Sequence, residues 1–462
     1  MAIFAILTVA LAMNIGYASG KLGIRAAGML QYTEAAGITM EVNATLKHHP
    51  LYSIAARLQK KLLKKRPFAP PVASLIKALE QRRNLLAKSQ TFALVTQDGK
   101  KLSAWEVSFG RYPQWLTLVT TNDDAEFEID TDAMSRWLTK YQPAELPTPG
   151  TVQITNVTLD EKNVYRAESS EPMKDGYGFL SVLETVDVIA KSLSSHSPSL
   201  EPIPITVTPR MGTVINASGF DLGEMKLIST GRSNFKGSPL GRIKNIQKGL
   251  RERINNVLIP PGETFSFNDT LNAVTTGNGW YMALAIFNGG DLSPVPGGGI
   301  CQVATTVFRA AINGGFDVTD RKSHSLYVHY YEDGGVGLDA TVYPGQQNMK
   351  FVNDTGNYIL VQAHTEGNDA TVSLYGTPDG RIVAMEGPYF TTNAPEGFLE
   401  NESVLRKNEI GWMQKVSMAD GTKRDKVLVA RYKSLPKSVV KKYTSDTIAR
   451  LDTNVSHGAA GQ

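Results

Sequence analysis

A single cysteine, Cys301, occurs among the 462 residues of this chain, and it lies in the segment PVPGGGICQVATTVFRAAINGG. Glycines occupy positions 297 to 299 immediately before it, and apolar residues recur at helical spacing after it. This pattern predicts a flexible loop that enters a helix, with the thiol in the first helical turn. The free N–H groups and the positive dipole end of a helix N-terminus favour a thiolate. We therefore expect an exposed and activated nucleophile.

Most lone cysteines in folded proteins are small buried hydrophobes, and that alternative stays open for Cys301. A buried structural cysteine needs neither a glycine run before it nor polar residues after it, and this sequence has both. The surroundings of Cys301 therefore favour a functional thiol.

The composition limits the classes of protein to which the chain can belong. Its length predicts about two to four domains. A hydrophobic content of 42% with 20% charged residues is typical of a globular protein. The net charge of +4 does not indicate a nucleic-acid partner. With one cysteine, the chain has no intrachain disulfide and no multi-cysteine metal site.

The N-terminal segment MAIFAILTVALAMNIGYASG carries no charge before Lys21. Its position and apolar character favour a signal peptide or membrane anchor over residues 1–20, with a buried core helix as the alternative. Export would place the protein in the cell envelope, outside the cytoplasm. Residues 21–90 form a basic helical segment, which we interpret as a solvated helix face. Contact with an anionic membrane or wall polymer is the alternative.

The rest of the chain predicts an α+β, multidomain protein with mixed helices and antiparallel strands. Strand and helix patterns are mixed over residues 91–210, where no catalytic group stands out. The predicted segments are an α+β domain over 91–210, a second domain over 228–380, a β-rich extension over 381–455 and a disordered tail over 456–462.

Two histidines follow the Cys301 helix closely, in the segment RKSHSLYVHYYEDGGVGLDATVY. A nucleophilic cysteine needs a general base and a group that orients the base. The pattern SLYVHYY predicts a strand, in which His324 and His329 face opposite sides, so that only one reaches the thiol. Serines flank His324, and we prefer it as the base, with Asp339 as the orienting group. The alternatives are His329 as the base, or a purely structural role in which His324 and Asp339 cap a turn and a strand end.

Zinc ligation by Cys301 and the two histidines is a further alternative, but neither HExxH nor CxxC occurs in the chain. The glycine run also suggests a phosphate-binding loop, yet no GK[ST] sequence follows it. We therefore expect no metal and no organic cofactor.

Several motifs together resemble the VanW domain family. They are PPGETFSFND, a Gly-Trp segment, PGGGICQVATTVFRAA, RKSHSLYVHYY and LDATV, and they cover residues 228 to 363 approximately. The chain departs from the family in VYPGQQ after LDATV, where small residues are common. The preceding region, with FALVTQDGKKL, IDTDAMSRWL and DGYGFL, is more loosely similar to a peptidoglycan-binding domain that often precedes VanW.

The resemblance implies a reaction, because some VanW-domain proteins are implicated as L,D-transpeptidases that make 3-3 peptidoglycan cross-links. Cys301 occupies the position of the motif cysteine, and His324 and Asp339 match further motif positions. Peptidoglycan stem peptides would then be the substrates and partners. The substrate contacts that we expect around the thiol are Gly298, Gly299, Ile300, Gln302, Thr305 and Ser325.

Two other functions stay open on the sequence. The protein could be a non-catalytic envelope protein that binds peptidoglycan, with Cys301 in a structural role. It could also be a cysteine amidase or peptidase that acts on the same stem peptides with water as the acceptor.

Overall fold

A computed structural model describes residues 46–195, 199–287, 291–399, 403–445 and 450–452. The predicted signal or anchor segment and the predicted tail lie outside these residues. The chain divides into two compact units. The first ends at Leu146 and also takes in Gly178–Thr208, and the second contains Pro147–Tyr177 and the chain from Pro209 onward. Helices combine with several mostly antiparallel sheets, which confirms the α+β prediction.

The first unit combines helices with a mixed sheet and a separate hairpin. Its helices are α1 (Tyr52–Leu63), α2 (Val72–Leu86), α3 (Thr131–Lys140) and α4 (Val182–Ser194). Its strands are β1 (Ser89–Thr96), β2 (Lys101–Ser108), β3 (Leu116–Thr120), β4 (Ala125–Ile129), β7 (Gly176–Phe179) and β8 (Ile203–Arg210). The sheet order is β2-β1-β8-β7, and β3 pairs with β4. Asp130 caps α3, since its Oδ1 accepts from the Ala133 N–H at 2.7 Å.

The second unit is built on a seven-stranded sheet in the order β10-β18-β17-β11-β6-β5-β9. These strands are β5 (Thr151–Leu159), β6 (Tyr165–Ser169), β9 (Thr213–Asn216), β10 (Lys226–Asn234), β11 (Val257–Ile259), β17 (Ile359–Glu366) and β18 (Asp369–Gly376). Residues 147–177 lie within the predicted 91–210 segment but belong to the second unit, because β5 and β6 join its sheet. Their buried faces, through Val152 and Ile154, share a core cluster with Leu360 of β17.

The remaining elements of this unit surround the sheet. The helices are α5 (Leu240–Lys248), continued by a π-helical turn (Gly249–Ile254), α6 (Phe267–Leu271), α7 (Ile300–Asn313) and α8 (Lys437–Ser445). The strands are β12 (Thr264–Ser266), β13 (Met282–Phe287), β14 (Asp291–Pro296), β15 (Asp317–Asp320), β16 (Lys350–Val352), β19 (Ile382–Tyr389), β20 (Glu409–Ser417), β21 (Lys423–Arg431) and β22 (Arg450–Asp452). Helix α7 packs on β10 and β18, and every residue from Gln302 to Ile312 is buried.

The C-terminal sheet, ordered β21-β20-β19-β22, packs on the same core as α7. Trp412 of β20 is buried in that core, and its Nε1 donates to the Val336 carbonyl at 2.8 Å. The predicted β-rich extension therefore shares its hydrophobic core with the preceding segment, which is why no separate unit forms there.

The segment between β15 and β16 is irregular, and the prediction of a strand over SLYVHYY is wrong. This segment contains one 3-10 turn, His329–Tyr331, and isolated bridges such as Lys322 with Thr341. Its backbone groups pair irregularly rather than in a strand ladder, since the Tyr331 carbonyl accepts from the Arg309 guanidinium of α7 and the Ser325 carbonyl accepts from the Lys433 N–H. Among the helices that the structure describes, none is both long and apolar enough to cross a bilayer.

Candidate active site

The glycine run brings backbone close to its surroundings at the start of α7. Gly299 has a φ of +109°, and a Cβ at this position would lie 2.9 Å from Cγ of Arg242. A Cβ on Gly298 would lie 2.3 Å from the Ala283 carbonyl oxygen. Side chains are therefore excluded at both positions. The loop turns sharply into α7 and presents Cys301 in the first helical turn, as the sequence predicts.

The thiol of Cys301 is partly exposed and touches the LDATV segment. Its Sγ lies 3.7 Å from the Thr341 hydroxyl and donates to the Val342 carbonyl at 3.4 Å. The Val342 N–H approaches the sulfur at 3.5 Å. These contacts hold the sulfur at the wall of a cleft rather than inside the core.

The structure brings Cys301, His324 and Asp339 together. Nδ1 of His324 lies 2.5 Å from Oδ2 of Asp339, and the same oxygen accepts from the His324 backbone N–H at 2.9 Å. Both side chains are nearly inaccessible, with 5% exposure for His324 and 1% for Asp339. Since Asp339 holds Nδ1, Nε2 is the ring nitrogen that is left to interact with the thiol, and His324 and Cys301 line the same cleft.

His329, the alternative base, lies elsewhere. Its side chain is 71% exposed, and its Nδ1 pairs with Oε1 of Glu332 at 2.6 Å. It does not line the cleft that holds Cys301. The geometry therefore favours His324 over His329.

Two further residues complete the environment of Asp339, and neither was singled out in the sequence. The Tyr432 hydroxyl donates to Oδ1 of Asp339 at 2.6 Å. Arg321 donates from Nε to the Asp339 carbonyl at 2.8 Å, and its Nη2 lies 3.6 Å from Oδ1. Tyr432 follows β21 and is 93 residues from Asp339. No local motif around Tyr432 indicates this contact.

The electrostatics of the three groups favour an ion pair between thiolate and imidazolium. Burial raises the pKa of the Cys301 thiol, but the hydrogen bond and positive charge of His324 outweigh burial and hold that pKa below its ordinary value. Burial lowers the pKa of His324, but Asp339 and the thiolate reverse this effect and raise it. Burial likewise opposes ionisation of Asp339, yet its bond to His324 keeps its pKa low.

Arg309, on the same helix as Cys301, fixes the loop that carries Asp339. Its buried guanidinium donates to the carbonyl oxygens of Arg232, Tyr331, Asp333, Gly335 and Leu338. A planar fork of five donors suits such a set of acceptors. The separation between α7 and this loop is thereby set by one side chain.

Three predicted substrate contacts occupy supporting positions. Gln302 is fully buried and donates to the Ser233 hydroxyl at 3.2 Å. Thr305 is fully buried, and its hydroxyl accepts from the Ala340 N–H at 3.1 Å. The Ser325 carbonyl accepts from the Lys433 N–H. None of the three lines the cleft, so their contacts stabilise the walls of the site.

The cleft has a volume of about 860 Å³ and is mostly apolar. Of the predicted contacts, Gly299 and Ile300 line it, and Gly298 lies behind them with its carbonyl bonded to the Asn245 amide. The part of the chain that the structure describes contains no group of three or more His, Cys, Asp or Glu side chains arranged to hold a metal ion.

Comparison with known proteins places these features in a family. Residues 241–375 match the family described as VanW like protein. The chain is 36% identical over 143 residues to the uncharacterized protein YoaR of Bacillus subtilis (strain 168). The aligned region covers 31% of this chain and 46% of YoaR. It is 31% identical over 162 residues to the vancomycin B-type resistance protein VanW of Enterococcus faecalis (strain ATCC 700802 / V583), covering 34% of this chain and 53% of that protein.

The chain thus spans about half the length of the curated relatives that it matches. No solved structure is significantly similar to it. The matched region contains Cys301, His324 and Asp339, whereas Tyr432 lies beyond it. Residues 241–375 are a VanW-like domain.

Proposed function

We propose that this protein is a cysteine-dependent L,D-transpeptidase of the cell envelope, which forms 3-3 cross-links between peptidoglycan stem peptides. The observation that carries the proposal is that Cys301 and His324 line the same cleft, and that Nδ1 of His324 is hydrogen-bonded to the buried Asp339. Similarity to a protein named for vancomycin resistance supports a role at the cell wall.

In the first step the Cys301 thiolate attacks the carbonyl carbon of the peptide bond before the terminal D-residue of a donor stem. A carbon–sulfur bond forms, and the carbonyl oxygen takes up the negative charge. As the carbon–nitrogen bond breaks, the His324 imidazolium donates its Nε2 proton to the leaving amine. The products of this step are a thioester on Cys301 and a free D-amino acid.

Two backbone groups are suited to bind the developing oxyanion. The N–H groups of Gly299 and Cys301 make no hydrogen bond to any acceptor within the described residues. Both lie beside the thiol at the positive end of α7. A pair of donors of this kind stabilises such a charge by a few kcal/mol, on the order of 3 for each donor.

In the second step an amine of a neighbouring stem attacks the thioester. Neutral His324 accepts a proton from that amine, and the sulfur leaves as the thiolate, which restores the resting ion pair. The apolar walls of the cleft, through residues such as Val274 and Leu284, favour an amine on a peptide over bulk water as the acceptor.

The remaining parts of the proposal concern location and binding. We propose that the N-terminal segment directs export or anchors the chain, and that residues 91–210 bind peptidoglycan and contribute no catalytic group. Their support is the sequence pattern alone. In the full chain, replacement of exposed side chains of the first unit, such as Tyr141→Ala, should weaken binding to sacculi.

The test of the reaction uses purified protein with disaccharide tetrapeptide stems, read by mass spectrometry of the protein and of the muropeptides. Because Cys301 is the only cysteine, any thioester adduct can be assigned to it without mapping. Cross-linked dimers with release of a D-amino acid are the expected products, and Cys301→Ala should give none.

Other outcomes separate the alternatives. Trimmed monomers without dimers would indicate a peptidase, and unchanged stems with measurable binding would indicate a non-catalytic protein. His329→Ala serves as the matched control for His324→Ala, since His329 is exposed and paired outside the cleft.

A further inference from the structure

Arg242 is a cationic side chain of the cleft that the reaction above does not use. It lies in the first turn of α5 and lines the cleft together with Cys301 and His324. Its Cγ would lie only 2.9 Å from a Cβ on Gly299, so its stem passes directly over the glycine that begins α7. Arg242 therefore borders the same cleft as the thiol, beside the glycine run that precedes Cys301.

The Arg242 side chain is held in place before any ligand binds. Its Nη1 donates to the Ser238 hydroxyl at 2.7 Å. Its Cζ lies 4.6 Å from the centre of the Tyr330 ring, which is a cation–π distance. Two such contacts fix the rotamer, so a ligand that meets the guanidinium loses little side-chain entropy.

The positive charge of Arg242 has no protein counter-charge. No carboxylate lines the cleft, and no Asp or Glu pairs with Arg242 in the described part of the chain. The two buried arginines of the domain differ, since Arg309 is bound by carbonyls and Arg321 lies beside Asp339. His324 also carries charge, but Asp339 and the thiolate balance it. The cleft therefore offers one fixed and unmatched cation to an anionic ligand.

We propose that Arg242 binds a carboxylate of the substrate, and that it selects donor stems whose leaving residue ends in a free α-carboxylate. In such a stem the carboxylate is separated from the scissile carbonyl carbon only by the amide nitrogen and one Cα. Nε and Nη2 of Arg242 make no hydrogen bond within the described residues, so a guanidinium edge is available for two parallel bonds. The identity of the substrate rests on the proposed function, whereas carboxylate binding beside Cys301 does not.

Alkylation of the single cysteine tests carboxylate binding without any assumption about the reaction. Iodoacetate and iodoacetamide both form a carbon–sulfur bond with the thiolate and release iodide, and they differ in one carboxylate. The measured quantity is the second-order rate constant for iodoacetate divided by that for iodoacetamide. In Arg242→Gln this ratio should fall about tenfold or more, because a charge-assisted bond is lost. Division by the iodoacetamide rate constant corrects for any change in the thiolate fraction when the charge of Arg242 is removed, and thermal melting shows that the variant is folded.

Lys244→Gln is the matched control, because Lys244 is an exposed cation on the same helix that contacts Tyr281 outside the cleft. It removes the same charge and should leave the ratio within about twofold of the original. A ratio unchanged in Arg242→Gln, or lowered equally in Lys244→Gln, would overturn the proposal.

Donor stems then test the selection itself. The original protein should be acylated at least about tenfold faster by a stem tetrapeptide with a free C-terminus than by its C-terminal amide, and Arg242→Gln should lose this preference. A preference that persists in Arg242→Gln would contradict the role of Arg242. If neither stem acylates the original protein, the transpeptidase proposal fails, and the alkylation ratio still decides whether Arg242 binds a carboxylate.

Discussion

Replacement of Asp339 by asparagine should raise the pKa of the Cys301 thiol. The change is nearly isosteric, and the Asn oxygen can still accept from the His324 backbone N–H and from Nδ1. What is lost is the negative charge that stabilises the imidazolium. The pKa of His324 should fall as a result, and the thiolate should lose part of its counter-charge.

The size of the effect follows from the geometry. Oδ2 of Asp339 lies 2.5 Å from Nδ1 of His324, which puts the centres of the two charges roughly 4 Å apart. At an effective dielectric constant of about 20, this attraction is about 4 kcal/mol. The hydrogen bond that asparagine still makes to His324 keeps about half of this attraction. The loss of the other half, about 2 kcal/mol, corresponds to about 1.5 units in the pKa of His324. The pKa of His324 should therefore fall by about 1.5 units in Asp339→Asn, and the pKa of the thiol should rise by up to about that amount, because the thiol depends on the charge of His324.

The assay is the rate of iodoacetamide alkylation measured across pH, since iodoacetamide is neutral and reacts with the thiolate. The midpoint in the original protein should lie below that of an ordinary thiol. In Asp339→Asn the whole profile should move to higher pH. Asp333→Asn is the matched control, because Asp333 is an exposed carboxylate on the same loop. Thermal melting of each variant shows whether the fold is retained.

A shift of less than about half a unit in a folded Asp339→Asn protein would refute this reasoning. It would mean that Asp339 does not set the charge state of His324 and Cys301, and that its contacts serve the fold alone. An equal shift in Asp333→Asn would also count against it, because a general change in surface charge would then explain the result.

Three other substitutions have definite expected outcomes. His324→Ala should abolish thioester formation, whereas His329→Ala should keep at least about half of the rate, as measured by intact mass against time. Arg309→Lys should lower the free energy of unfolding in urea by about 3 kcal/mol or more, because lysine leaves buried carbonyls unpaired; a loss below about 1 kcal/mol would contradict its role. In Gly299→Ala, where φ is +109°, iodoacetamide should alkylate Cys301 at least about tenfold more slowly than in the original protein. In Gly262→Ala, where φ is +78° in an open turn, the alkylation rate of Cys301 should not fall in this way.

Features that depend on neighbouring residues were predictable from the sequence. Helix α7 and the position of Cys301 in its first turn both appear where their local patterns indicate. Each rests on backbone propensity, capping or hydrophobic period within a few residues. The position of the thiol at a helix N-terminus, and with it the idea of a nucleophile, comes from the sequence for this reason.

The strand expected over SLYVHYY shows where local patterns stop being sufficient. Alternating apolar residues suit a strand, but a strand also needs a continuous partner for its backbone, and here the Ser325 and Tyr331 carbonyls bond separately to Lys433 and Arg309. The choice of His324 nevertheless agrees with the geometry, although the alternation of a strand is not its cause. An irregular backbone, held by Arg309 and Asp339, turns His324 toward the thiol.

The sequence by itself determined Cys301 as the candidate nucleophile, the two candidate histidines and the α+β class, because these follow from residue type and short-range period. Only the tertiary structure decided that Tyr432 donates to Asp339, that β5 and β6 join the second unit, and that Arg242 faces the cleft without a counter-charge. Each of these depends on which distant surfaces pack together. Burial of the whole hydrophobic core determines which surfaces pack together, and the contacts of this core join residues far apart in the chain.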